Sequence, residues 1–131
     1  MKEEMIAAAY AALAHAYAPY SHFRVGACVL TKDHHLYTGA NVENASYGLC
    51  CCAERNALFA AISAGVQKED IVALAVVSER ECAAAPCGAC RQVMSELMEP
   101  QAEVYMVGTK ESFSRRVEEL LPFAFDKEDM K

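Results

Sequence analysis

Positive charge is scarce in this chain: 12 Lys and Arg stand against 18 Asp and Glu, for a net charge of -6. No Lys/Arg run gathers the potential that a phosphate backbone requires, so polymeric nucleic acid is not an expected partner. Long apolar runs are missing too, and nothing reaches the roughly 20 residues that span a bilayer. Residues 1–20 lack an apolar export core behind positive charges and lack a small-residue cleavage site. The expected location is the cytoplasm, away from membranes. Internal repeats, linkers and low-complexity tracts are also absent, so residues 1–131 read as one compact domain.

Apolar residues are plentiful at 54% of the chain, enough for a dense core and for surface buried against other subunits. Cysteine is the other excess. Seven cysteines is an odd number, and Cys50, Cys51 and Cys52 are adjacent. In a reducing compartment such a set reads as metal ligands or buried thiols before it reads as disulfides.

Met5, Ile6, Ala9, Leu13 and Ala16 recur at helical spacing, which predicts an amphipathic helix over 3–16 that Pro19 stops. Residues 24–31 and 36–42 are β-prone and are joined by the polar Lys32-Asp33-His34-His35, as in an antiparallel hairpin. A helix over 52–64 ends at Gly65, and the nearly continuous apolar run 71–77 suits a strand covered on both faces. Pro86 opens a helix over 87–98, with a strand at 104–107 and a short helix at 117–121. The alternation after the hairpin calls for parallel neighbours with right-handed crossovers. The expected fold is therefore α/β, a three-layer α/β/α sandwich on a mixed sheet.

Two helix starts carry the chemistry: Cys52-Ala53-Glu54 and Pro86-Cys87-Gly88-Ala89-Cys90. Cys87 and Cys90 lie about one turn apart, a spacing that chelates one metal, and Cys52 can complete a three-thiolate set with a fourth tetrahedral position left for water. Helix dipoles favour the thiolate form at both starts. Three thiolates weaken zinc as a Lewis acid, and Arg55 is placed to hydrogen-bond a ligand sulfur and offset that charge. Glu54, two residues from a ligand, can approach the water without binding the metal, as a proton shuttle does.

The Cys-Ala-Glu and Pro-Cys-x-x-Cys pairing is the signature of zinc deaminases in its three-cysteine form. The chain closely resembles the small homotetrameric cytidine deaminases through Tyr17-Ala18-Pro19-Tyr20-Ser21, Phe23-x-Val25-Gly26-Ala27, the run from Asn41 to Gly48, Cys52-Ala53-Glu54-Arg55, the run from Pro86 to Gln92 and Glu118-Glu119-Leu120-Leu121-Pro122. That resemblance implies one zinc per subunit, a roughly five-stranded sheet, and hydrolytic deamination of cytidine and deoxycytidine in pyrimidine salvage. It implies that Asn41 and Glu43 hold the ribose 3′-hydroxyl, that Phe23 packs on the nucleoside, and that the Ala53 backbone with Glu54 reads the pyrimidine edge. Phe125 and Tyr47 are implied to reach a neighbouring subunit's site, so that active sites are shared in a homotetramer. Ala85 stands where many relatives have serine, and Phe123 where many have glycine.

Plainer readings exist for each residue. A lone Cys-x-x-Cys can be a redox pair or half a structural zinc site, and Arg55 a surface cation. Phe23 can be core, Asn41 with Glu43 can terminate a strand, and Phe123 and Phe125 can fold onto their own core. Cys28, Cys50, Cys51 and Cys82 read as small buried or incidental thiols, and the four histidines lie outside the motif. The rival functions are deamination of a blasticidin-type antibiotic or of nucleotides on the same scaffold, and a non-catalytic zinc or redox module.

Overall fold

The computed structural model describes residues 1–130. The alanine-rich opening forms α1 (Lys2–Leu13), which buries Met5, Ala9 and Leu13 at four-residue spacing. It ends three residues before the predicted 16. Residues beyond Leu13 leave the helix because Tyr17 pairs with the Val42 segment, its N–H donating to Asn41 O at 2.9 Å and its carbonyl accepting from Glu43 N at 2.8 Å.

The predicted hairpin is present as β1 (Val25–Thr31) and β2 (Leu36–Ala40). Helix α2 (Ala53–Ser63) follows, and Gly65 takes the left-handed φ of 94° suited to a residue just past a helix end. Then come β3 (Ile71–Ser78), α3 (Gly88–Leu97), β4 (Glu103–Val107), β5 (Ser112–Arg116) and the short α4 (Val117–Leu120). The sheet has five strands in the order β2-β1-β3-β4-β5. Among the described residues only β3 and β4 are parallel neighbours; β1 runs antiparallel to both β2 and β3, and β5 antiparallel to β4. The expectation of parallel neighbours thus holds for one crossover and fails for the other. The hairpin leaves the far edge of β1 free, so the chain leaving α2 pairs there rather than on the outer edge of β2.

Period-two alternation sorts the core into two layers. Val29, Leu74, Val76, Val104 and Met106 face α2 and α3, whereas Cys28, Leu30, Ala75, Val77 and Val107 face α1. Two glycines set the helix distances. A Cβ at Gly26 would stand 2.0 Å from Ala9 O of α1, and one at Gly39 would stand 2.5 Å from Ala57 N of α2. Both obstacles are backbone. Gly39→Ala is therefore expected to push α2 off the sheet and destabilise the protein by about 1–3 kcal/mol, read as a lowered thermal midpoint; an unchanged midpoint would show that α2 shifts freely. Among the described residues, no helix is long and apolar enough to cross a membrane.

Candidate active site

Both cysteine motifs fall at helix N-termini on the same side of the sheet. Cys52 is the N-cap of α2 and Cys87 the N-cap of α3, whose Sγ accepts from Cys90 N at 3.5 Å. The approach to Cys52 is pinned by a reciprocal bridge between Val42 and Cys51, at 2.9 and 3.0 Å, and by Asn56 Nδ2 donating to Ala40 O at 2.7 Å. The Cys87 loop is tied down by Arg91, whose Nε donates to Pro86 O at 2.9 Å and whose guanidinium also donates to Leu120 O at 3.1 Å. Two separate segments are thereby held face to face.

The sulfurs of Cys52, Cys87 and Cys90 all lie within 4.8 Å of one another, with Cys52 and Cys87 3.8 Å apart. Tetrahedral zinc with bonds of about 2.3 Å to sulfur sets its ligand sulfurs about 3.8 Å apart, so the group fits zinc. The ionisation of the thiols points the same way. A hydrogen bond from Cys90 is the largest influence holding the Cys52 thiol down at about 5, with the Arg55 guanidinium adding to it against the opposing effect of burial. Cys90 is pushed far up, by its hydrogen bond to Cys52 and then by burial. Zinc binding calls for deprotonated sulfurs, and a cation beside them favours that form. Arg55 donates to Cys52 Sγ at 3.3 Å, while its buried Nε has no partner among the described residues. It sits where the sequence reading placed it, against a ligand-type sulfur.

Glu54 is only 4% exposed, and burial pushes its carboxyl up to about 7. It lines a cleft of about 450 Å³ together with Cys52, Ala53 and Cys87 on one side and Phe23, Asn41 and Glu43 on another. That volume suits a small organic ligand. Glu43 accepts hydrogen bonds from Tyr20 N at 3.0 Å, Ser21 N at 3.1 Å and Ser21 Oγ, and the Ser21 hydroxyl is the largest cause of its lowered pKa. Asn41 bridges the backbone below Phe23, its Nδ2 donating to Phe23 O at 2.8 Å and its Oδ1 accepting from Val25 N at 2.9 Å. Each group retains hydrogen-bonding capacity for a ligand.

Tyr47 and Phe125 do not line this cleft. Tyr47 is 76% exposed and meets Tyr20 edge-on with ring centroids 6.4 Å apart. Phe125 is 56% exposed, and its carbonyl accepts from Gln92 Nε2 at 2.8 Å. Cys28 is buried, which pushes its thiol up to about 11, and Cys51 is also raised by burial, so neither is a ready thiolate. Ser21 and Arg80 line the cleft although the sequence reading gave neither a role. Ser21 lay inside a quoted motif, whereas Arg80 had no motif to mark it.

Residues 1–107 match the family described as the cytidine and deoxycytidylate deaminase zinc-binding region. The chain is 53% identical to a cytidine deaminase of Halalkalibacterium halodurans over 88% of its own length and 86% of the relative's. It is 45% identical to a cytidine deaminase of Sporosarcina psychrophila over 98% of its length and 93% of the relative's. The crystal structure of cytidine deaminase from Burkholderia pseudomallei superposes with a TM-score of 0.92 at 50% identity, covering 95% of this chain and 99% of that one. A three-sulfur group, a buried carboxyl beside it and these likenesses converge: the chain belongs to the cytidine and deoxycytidylate deaminase family of zinc-binding enzymes.

Proposed function

We propose that this protein hydrolyses cytidine and deoxycytidine to uridine and deoxyuridine with release of ammonia, as a cytoplasmic single-domain enzyme of pyrimidine salvage. The observation that carries the reading is a buried, protonatable Glu54 in the same cleft as Cys52 and Cys87, whose sulfurs form a metal-ready group with that of the buried Cys90, without Glu54 being one of that group. Cys52, Cys87 and Cys90 hold one zinc ion, which when bound supplies a Lewis acid able to make water nucleophilic near neutral pH. Arg55 offsets the charge of the sulfurs through Cys52.

Glu54 moves the protons. It takes one from the water that adds to C4 and delivers it to ring N3. It then carries the second proton to the departing amine, so that the C–N bond breaks and ammonia leaves. A carboxyl poised near 7 can both accept and return a proton at working pH. The Ala53 backbone and Glu54 read the pyrimidine edge, Phe23 packs on the nucleoside, and Asn41 with Glu43 holds the 3′-hydroxyl. The low pKa of Glu43 keeps it an acceptor for that hydroxyl, and its charge disfavours a phosphate nearby.

Tyr47 and Phe125, exposed on one chain, complete the cleft of a neighbour in a homotetramer. Because Gln92 grips the backbone of Phe125 and not its ring, Phe125→Ala leaves the tail in place and removes only the stacking surface. The expected result is a KM for cytidine raised about two- to tenfold at unchanged kcat; an unchanged KM would remove Phe125 from the substrate site. The decisive test of the whole reading incubates purified protein with cytidine, follows ultraviolet absorbance and ammonia, and assays bound zinc. Full zinc occupancy without turnover would make the three sulfurs a purely structural site.

A further inference from the structure

The antiparallel register of β1 and β3 sets Val25 opposite Ser78 at the end of their ladder. Side chains continue that register beyond the ladder. Arg24 meets Glu79 in an ion pair, and the Arg80 guanidinium lies 3.9 Å from the centroid of the Phe23 ring. Alternation of faces sorts these pairs. Phe23, Val25, Ser78 and Arg80 all line the cleft, while Arg24 and Glu79 do not.

Both backbones beneath the stacked pair are already fixed. Phe23 N donates to Ser21 Oγ at 3.0 Å and its carbonyl accepts from Asn41; Arg80 N donates to Ser78 Oγ at 3.3 Å and its carbonyl accepts from Thr109 N at 2.8 Å. These bonds leave the orientation of the ring itself unset, and the guanidinium carbon is the group that lies 3.9 Å from its centroid. Among the described residues no carboxylate pairs with Arg80, so no ion pair competes for its charge.

We propose that Arg80 is a positioning residue: from the segment that follows β3 it clasps the Phe23 ring beside it and presets the wall against which the nucleoside packs. This rests on the reading of the cleft as the nucleoside site. The Arg24–Glu79 pair one rung closer to the sheet keeps the two segments in register while Arg80 acts on the ring.

A double-mutant cycle with Phe23 tests it. A cation over a partly exposed aromatic ring corresponds to about a two- to fivefold effect on an equilibrium, so Arg80→Ala is expected to raise the KM for cytidine by that factor at unchanged kcat. Arg80→Lys, which keeps the cation, restores part of the loss. In a Phe23→Leu background Arg80→Ala has no further effect. An equal rise in both backgrounds would mean that Arg80 touches the substrate itself, and an unchanged KM in Arg80→Ala would mean that it does nothing there; either overturns the proposal. A readout independent of turnover separates this from the functional reading. In the free protein carrying labelled phenylalanine, Arg80→Ala is expected to shift the Phe23 ring resonances, and unshifted resonances overturn the clasp even if cytidine is deaminated normally. If the wild-type protein leaves cytidine untouched, the functional reading fails and the resonances alone decide the clasp.

Discussion

Glu54→Gln is expected to keep zinc and to lose turnover of cytidine by about 10⁴-fold, the upper end of what one acid–base group contributes. The size follows from repetition, because a single side chain carries the proton into N3 and another out to the amine, and the amide can do neither. The fold should not suffer. Glutamine matches the volume of the side chain, and the native carboxyl is already disfavoured in its charged form by burial, so a neutral group at 4% exposure is no worse accommodated. The check is zinc per chain by atomic absorption beside kcat and KM. A variant with kcat within tenfold of wild type would transfer the proton work to another group, and one that lost its zinc would make Glu54 a support of the metal site. A 10⁴-fold loss corresponds to about 5.5 kcal/mol of transition-state stabilisation, which only a group acting on the reacting atoms supplies.

The parts of this design that could be read from the chain were those written in local chemistry. Cys52, Glu54, Cys87 and Cys90 announce themselves because a metal site needs particular atoms at helix-turn spacing, and the structure brings the three sulfurs together. The strands β1 and β3 were legible because their apolar residues are continuous enough to be buried on both faces. By contrast β5 has one apolar residue, Phe113, and that residue is exposed; an edge strand of polar and charged residues carries no hydrophobic period to detect. Arg80 was invisible for another reason, since its partner Phe23 is brought to it only by the pairing of β1 with β3. Phe123 lies between the two cases. Resemblance marked it as a position where glycine is common, and its backbone does adopt the left-handed φ of 56° that glycine accepts freely and a bulky residue does not.

Cys87→Ser should separate the metal from the fold more cleanly than any other change at the sulfurs. Cys87 is the N-cap of α3 and accepts from Cys90 N, a task that serine performs at least as well. The helix therefore keeps its start while the site loses a soft thiolate, and a hydroxyl is a poor substitute for zinc. Zinc content after dialysis against a chelator is expected to fall from about one per chain to less than a tenth, with activity falling at least a hundredfold. Thermal stability should fall as well, because zinc that binds only the folded chain stabilises it by mass action, and each tenfold loss of affinity removes about 1.4 kcal/mol. The diagnostic comparison is the melting temperature with and without chelator. Wild type should drop to meet the variant, whose own midpoint should not respond. A variant that retained its zinc through dialysis would show that Cys52 and Cys90 suffice with some other ligand, and the three-sulfur site would have to be redrawn.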